Sequence, residues 1–396
     1  MNFGQAYKQA LVLAKLPIDD AGHIELAKEA TQRNIDDLWY HPKACADWRQ
    51  SRSSITTVAD ADEYTLSKLV DEIVPGTMSR DPDDSPGTLD YVDPLQFFQK
   101  FTNHANMLGT PAVYTHGDLS GVDSQPAVPT KILIKSTKAK KTNGTVNFTA
   151  GSKRITSDDG IFSLNDVGLR IRKTGEVRSY KIGRFIDNSE IEIIEKFRGV
   201  SGDGDTYEIG DIGIHVNVTG FVAGEIDSED IVLDGETEVT GEKNFTTLIS
   251  ISKTDRTGGS VTAQDEEKTA NYAVLAPGET EVERKTVVLH PIPSVADQVI
   301  KYRFYLHHPR IWLDSDRIYL PRKFHKTVLR MTQADLLEWS EQAIPAKLAQ
   351  DIQKGIDEYL DWANDTSKWT GVPNDTNHGS LAGLFDNSID QDFVGV

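Results

Sequence analysis

VVLHPIPSVADQVIKYRFYLHHPRIW, residues 287–312, is the passage whose reading decides the fold. It describes two strands around a turn stiffened by Pro291 and Pro293. In the second strand Ile300, Tyr302, Phe304 and Leu306 alternate with Val299, Lys301, Arg303 and Tyr305, so one face is apolar and the other mostly polar. That period-two pattern belongs to a half-buried strand. A helical pattern follows from Tyr319-Leu320-Pro321. A chain that has been rich in short strands and glycine turns thus returns to helix late, and its returning elements need partners.

The partners lie upstream. Ile24, Ala27, Thr31, Ile35, Leu38 and Trp39 recur at helical spacing after the start signal Asp19-Asp20. SSITTVADADEYTL, residues 53–66, is rich in β-branched residues and reads as a strand pair. Asp93-Pro94 opens a short helix with a stripe of Leu95, Phe98 and Phe101, since Asp caps the first turn and Pro suits the first helical position. Downstream, Pro321 starts a helix carrying Phe324, Val328, Leu329, Met331, Leu336 and Trp339. After Pro345 a second helix carries Ala349, Ile352, Ile356, Tyr359, Leu360 and Ala363. Apolar helix faces at both ends of the chain each require cover. The economical arrangement joins residues 20–125 with 286–365 in one discontinuous domain.

Between them the period is two. Val146 and Phe148, Leu169 and Ile171, Tyr180 and Ile182, Ile191 and Ile193, and Tyr207 and Ile209 lie two apart, separated by turn signals such as Thr174-Gly175 and Gly202-Asp203-Gly204. Short strands at that spacing predict a small barrel or sandwich. A second set, Ile212–Val218, Ile231–Leu233, Leu248–Ile251, Val261 and Ala273–Leu275, suits an immunoglobulin-like sandwich. The expected class is therefore α+β and multidomain: a discontinuous helical-bundle domain with a strand pair, interrupted by a small β-barrel and an immunoglobulin-like β-sandwich. The expected boundaries are 1–130 for the first part of the helical domain, 131–211 for the barrel and 212–285 for the sandwich. Residues 286–365 form the return, and 366–396 a docking tail. In that tail Trp369, Leu381, Leu384, Phe385 and Phe393 are too apolar for an inert linker, which predicts that it orders on a partner.

Composition narrows the classes. With 38% hydrophobic and 26% charged residues the chain is an ordinary globular one, and it contains no apolar run of about 18 residues that would span a membrane. The N-terminal residues lack the basic start and apolar block of a secretory signal, so synthesis in a cytoplasm is expected. The single cysteine, Cys45, excludes an internal disulfide and a thiolate zinc cage. A net charge of −19 argues against general affinity for DNA. That charge is uneven: residues 131–210 hold 15 Lys and Arg against 11 Asp and Glu, while 212–284 hold 5 against 15.

Candidate chemistry is sparse. Asp203, Asp205 and Asp211 in SGDGDTYEIGD resemble a calcium loop superficially, but the EF-hand spacing, terminal Glu and flanking helices are missing, and a hairpin turn is the expectation. Gly202-x-Gly204 precedes a strand rather than a helix and is not a dinucleotide loop. His307 and His308 are adjacent, so in extended chain they point to opposite faces and do not chelate together. Cys45 and His41 are near in sequence only. There is neither a G-x-S-x-G elbow nor a Walker loop, and no metal, cofactor or catalytic residue is expected.

Three passages carry a resemblance. EATQRNIDDLWYHPKACADWRQSRSSITTVADADEYTL (29–66) runs from helix through a Trp-containing link to strands. GTVNFTAGSKRITSDDGIFSLNDVGLRIRKTGEVRSYKIGRFIDNSEIEIIEKFRGVSGDGDTYEI (144–209) has the form of a small inserted barrel. LHPIPSVADQVIKYRFYLHHPRIWLDSDRIYLPRKFHKTVL (289–329) leads through strand, Pro-rich turn and strand into the last helices. In this order, over roughly residues 20–365, the chain resembles the head-to-tail adaptor proteins of tailed bacteriophages, the neck or head-completion class. The polar C-terminal end lies outside the resemblance.

The resemblance implies a non-enzymatic virion protein made in the host cytoplasm. It would form a ring commonly of about twelve copies that joins the portal protein to other neck or tail proteins. The genome DNA would pass through its bore without sequence-specific binding, and no membrane would be involved. Strong acidity suits a conduit that repels rather than grips DNA. Two other classes compete: a peripheral tail or capsid-decoration protein with glycan-binding β modules, and a carbohydrate-active enzyme. A glycan-binding module more often sits at a terminus than in mid-chain. No acidic pair stands out among 61 Asp and Glu.

Overall fold

A computed structural model describes residues 1–365 except 75, 81–86, 102 and 118. The chain is mixed α+β and strand-rich, with five α-helices among the described residues: α1 (Phe3–Leu13), α2 (Ala21–Trp39), α3 (Pro94–Lys100), α4 (His325–Trp339) and α5 (Ala346–Ala363). It divides into two compact units. Among the described residues, one comprises 1–41, 125–282 and 310–359; the other comprises 42–124, 283–309 and 360–365.

In the first unit α1, α2 and α4 pack together. Asn2 caps α1 reciprocally with Gln5, each side chain accepting from the other's backbone N–H at 2.8 and 3.0 Å. Asp20 caps α2 through His23 N at 3.1 Å. The expected stripe Ile24, Ala27, Thr31, Ile35, Leu38 and Trp39 is buried throughout. The α4 stripe is buried at Phe324, Val328, Leu329 and Leu336, whereas Trp339, expected in the same face, is 54% exposed and meets His23 edge-on. In α5 the buried positions are Leu348, Gly355, Tyr359 and Ala363, so the face is rotated from the one expected through Ala349, which is exposed. Gly355 explains the rotation: α5 approaches α4 so closely there that a Cβ would lie 2.4 Å from Thr327 Oγ1.

Residues 146–210 form a seven-stranded antiparallel sheet in the order Gly202–Asp205, Val146–Phe148, Arg154–Thr156, Glu190–Ile193, Tyr180–Asp187, Arg170–Lys173, Tyr207–Gly210. The two edge strands are separated in sequence by Thr206 alone. The core of the sheet holds Val146, Phe148, Ile155, Ile171, Tyr180, Ile182, Ile191, Ile193, Phe197, Tyr207 and Ile209. Fully burying side chains of this size contributes about 1.5–3 kcal/mol each.

Two further sheets complete this unit. One orders Glu225–Asp234, Ile212–Val222 and Thr247–Lys253; the other orders Val239–Thr240, Ile132–Ser136, Val261–Asp265 and Asn271–Leu275. The expected boundary at residue 131 is corrected here. Ile132–Ser136 does not open the first β segment but pairs with Val261–Asp265 on one side and Val239–Thr240 on the other. Ile132, Leu133 and Ile134 are all buried, a demand that only a central strand meets. The 146–210 sheet is thus nested inside the second β set, between its first strand and Ile212–Val222. Asp211 ties this junction: its buried carboxylate accepts from Ser136 Oγ (2.6 Å), Gly258 N (2.6 Å) and Gly259 N (2.9 Å).

The second unit holds the passage that opened the sequence. Val299–Leu306 pairs antiparallel with Gln50–Thr56, placing Ile300 opposite Ile55 and Phe304 opposite Ser51, and also with Val70–Ile73 and Ser79–Arg80. Its expected apolar face, Ile300, Tyr302, Phe304 and Leu306, is buried. Thr286–His290 belongs to a different sheet, between Glu63–Thr65 and Val113–His116. Neither expected strand pair closes on itself: the two N-terminal strands and the two returning strands exchange partners. Where the chain leaves and re-enters this unit it pairs again, Ser120 and Arg284 exchanging backbone hydrogen bonds of 2.7 and 2.9 Å beside an Arg284–Asp123 ion pair of 2.6 Å. In α3 the cap is as expected, Asp93 Oδ1 accepting from Leu95 N at 3.0 Å, but Leu95 is 77% exposed and Phe97 is the buried ring. The side chain of Phe98 lies outside the described set.

The segments expected to form one split helical domain fall in both units: α1, α2 and α4 in the first, and α3 with the strands of 50–116 and 286–306 in the second.

Candidate functional site

A cavity of about 370 Å³ lies in the first unit. It is lined by α1 and α2, the turn before strand Arg170–Lys173, the turn 255–258 and the loop 312–315, together with Lys138 and Lys181. The loop is held against α1 by the helix's own free N–H groups. Phe3 N donates to Asp316 O at 2.9 Å and Gly4 N to Asp314 O at 3.1 Å, satisfying donors that a first turn leaves open. Gly4 is required for that approach, because a Cβ would stand 2.7 Å from Asp314 Cβ. Asp316 Oδ2 accepts from the backbone of Trp312 and Leu313 at 2.7 Å each and rigidifies the loop, while burial pushes its own pKa up.

Asp314 is the centre of charge. It accepts from Tyr7 Oη at 2.6 Å and from Lys8 Nζ, and Lys28 Nζ stands 3.9 Å away. Burial opposes its ionisation, but the hydrogen bonds from Lys8 and Tyr7 and the charges of Lys28 and Lys8 outweigh that and hold its pKa below the usual carboxylate range. Tyr7 is driven far above its ordinary value, by burial first and then by its bond to Asp314. Trp312 lies under two cations, Arg256 at 3.9 Å and Lys28 at 4.8 Å from its ring centroid. Around them Lys181 pairs with Glu25 at 2.7 Å, Arg256 with Glu29 at 2.7 Å and Arg170 with Asp255 at 3.7 Å.

Two other polar clusters are buried. In the second unit His104 Nδ1 and His290 Nδ1 are 2.9 Å apart, Asp62 lies 3.2 Å from His104 Nε2, and Phe101 packs on His290 at 4.0 Å. One ring nitrogen must donate and the other accept, so the pair holds one proton between them. Burial, and then the charge of His104, lower the pKa of His290. In the first unit Lys253 is buried and donates to Thr257 Oγ1 (2.6 Å), Ala276 O (2.9 Å) and Pro277 O (3.3 Å). Burial lowers its pKa to about 8.

The residues singled out by sequence do not converge. Asp203 is exposed, Asp205 pairs with Lys173 at 2.7 Å, and Asp211 is the junction carboxylate described above. His307 is exposed while His308 is buried. His41 falls in the first unit and Cys45 in the second, where Cys45 N donates to Asn364 Oδ1 at 2.8 Å and burial raises the thiol pKa. Trp369, Leu381, Leu384, Phe385 and Phe393 lie outside the described residues. Among the described residues no group of three or more His, Cys, Asp or Glu side chains is arranged to hold a metal, and no helix is long and apolar enough to cross a membrane. Sequence reading missed Tyr7, Lys28, Trp312 and Asp314, which are brought together from opposite ends of the chain. The chain matches no protein-family model and no curated protein.

Proposed function

We propose that this chain is a non-enzymatic structural protein of a virion, a head-to-tail adaptor. It forms a ring beneath the portal, contacts other neck or tail proteins and surrounds the DNA passage. The observation that carries the reading is the way the chain is cut and resumed. Ser120 and Arg284 pair across the two crossings, and the regular elements described between them are strands apart from the 3-10 turn Leu164–Asp166. In this reading the 146–210 sheet is the small barrel and the two remaining sheets are the immunoglobulin-like sandwich. The order of parts is that of the resemblance drawn from the sequence. The net charge of −19 supports a wall along which DNA slides without being held.

Electron microscopy of virions labelled with an antibody against this chain tests the proposal. Label at the junction of head and tail is the expected result. Label at tail tips or over the capsid shell would overturn it in favour of a peripheral or decoration protein.

A further inference from the structure

The cavity beside α2 contains a charge that the protein meets only at long range, an Asp314 oxygen standing 3.9 Å from the Lys28 ammonium. The Lys28 side chain is only 15% exposed, and its ammonium offers three N–H donors. Among the described residues it makes no hydrogen bond. The nearest carboxylate oxygen, on Asp314, is 3.9 Å away, and its other neighbours are the rings of Tyr7 at 5.3 Å and Trp312 at 4.8 Å. The two oxygens of Asp314 each accept a shorter bond from elsewhere, one from Tyr7 and one from Lys8. Burial, the larger effect, pulls the Lys28 pKa down against the opposing charge of Asp314.

The remaining charges of the lining are matched. Lys8 takes Asp314, Lys181 takes Glu25 and Asp255, and Arg256 takes Glu29, while Arg170 from outside the lining also pairs with Asp255. Lys138 also lines the cavity, and its ammonium has no ion-pair or hydrogen-bond partner among the described residues. The cavity therefore carries an excess of two positive charges, Lys28 and Lys138, in a chain whose net charge is −19. A buried ammonium without an acceptor is costly, and an anion that brings oxygen acceptors removes that cost. A cationic or purely apolar occupant would leave it in place. The volume, about 370 Å³, is that of a small-molecule site rather than of a single water.

We propose that this cavity is a binding site for a small oxyanion, a phosphate or carboxylate group, whose oxygens accept from Lys28 and Lys138. Trp312 and Tyr7 wall the site, and Asp314, already neutralised by Lys8, positions Lys28 without competing for its protons. The site is independent of the adaptor reading and stands or falls separately from it.

Isothermal titration calorimetry of the full chain in a low-salt chloride buffer, with inorganic phosphate and with citrate, tests the proposal. Expected is saturable one-to-one binding of at least one of them with a dissociation constant of roughly 1 mM or tighter. Tighter phosphate binding identifies a phosphate group as the ligand, and tighter citrate binding a carboxylate. Lys28→Met should weaken binding about tenfold or more, and Lys138→Met about threefold. Lys354→Met, on an exposed position of α5, should leave it unchanged. Should Lys28→Met fail to fold, the amine resonance of Lys28 in the unaltered protein gives the answer, since it must shift as phosphate or citrate saturates. Absence of saturable binding by both anions, equal binding by the Lys28→Met protein, or an unmoved Lys28 resonance would each overturn the proposal.

Discussion

Replacing Asp211 by Ala removes a carboxylate that joins the first strand of the second β set, the exit from the nested sheet and the turn at 258–259. Asp211 is 1% exposed. Its loss leaves the Ser136 hydroxyl and the N–H groups of Gly258 and Gly259 without their acceptor, at positions where donor distances are now 2.6, 2.6 and 2.9 Å. Each stranded buried donor costs about 1–3 kcal/mol, so the sum, reduced for local relaxation and water entry, is about 3–6 kcal/mol. That is a large share of the roughly 5–15 kcal/mol that holds a domain together. Asp211→Asn keeps the shape and one acceptor oxygen but turns an NH₂ toward a donor, and should cost about 1–3 kcal/mol. Asp203→Ala, on an exposed position of the same acidic stretch, should cost less than about 0.5 kcal/mol. Urea unfolding followed by tryptophan fluorescence and far-UV circular dichroism measures all three. An Asp211→Ala protein within about 1 kcal/mol of the parent would refute the hub assignment. Equal effects of Asp203 and Asp211 substitutions would instead return both residues to a common loop function.

Two further outcomes are expected. Gly4→Ala would stabilise an ordinary helix position by about 1 kcal/mol, but here the new Cβ meets Asp314 Cβ at 2.7 Å and Cα at 2.9 Å. Overpacking of about 1–3 kcal/mol then wins, and a raised melting temperature would show that the loop is not pressed on α1. The His104–His290 pair makes stability depend on pH: His290 titrates below the usual 6.5 in the folded chain, so the unfolded chain takes up its proton first. Its contribution is complete above that usual value and is lost as pH falls through it, and urea midpoints between pH 8 and 5 should decline less steeply in His290→Gln; parallel slopes would exclude the pair as the cause.

Much of the local structure was legible in the residues. Asp20 and Asp93 cap the helices that their positions announce, because capping is a matter of a few bonds between near neighbours. The alternation in 146–209 and 299–306 identified the buried faces, since a strand's two faces are set by parity alone. Where local reading failed, a neighbour had intervened: Trp339 is exposed beside His23, and α5 turned its face to bring Gly355 against Thr327.

Pairing was a different kind of question. Periodicity says which side of a strand is buried but not which strand lies beside it, so Ile132–Ser136 reads with the first β set from its place in the chain, and its hydrogen bonds place it in the second. The same holds for the strands at 50–65 and 286–306, which looked like two local pairs and are instead exchanged across more than two hundred residues. The cavity lies at the extreme of this scale. Nothing in the neighbourhood of Lys28 in sequence foretells Asp314 or Trp312, because ion pairing and burial depend on distance in space. By itself, then, the sequence determined helices such as Ala21–Trp39 and Pro94–Lys100 with their Asp caps, the buried faces of the strands at 146–209 and 299–306 and the acidity of the chain, all consequences of short-range geometry and composition. Only the tertiary structure decided the nesting of one sheet within another and the buried ammonium of Lys28, because both arise from contacts between segments that the chain holds far apart.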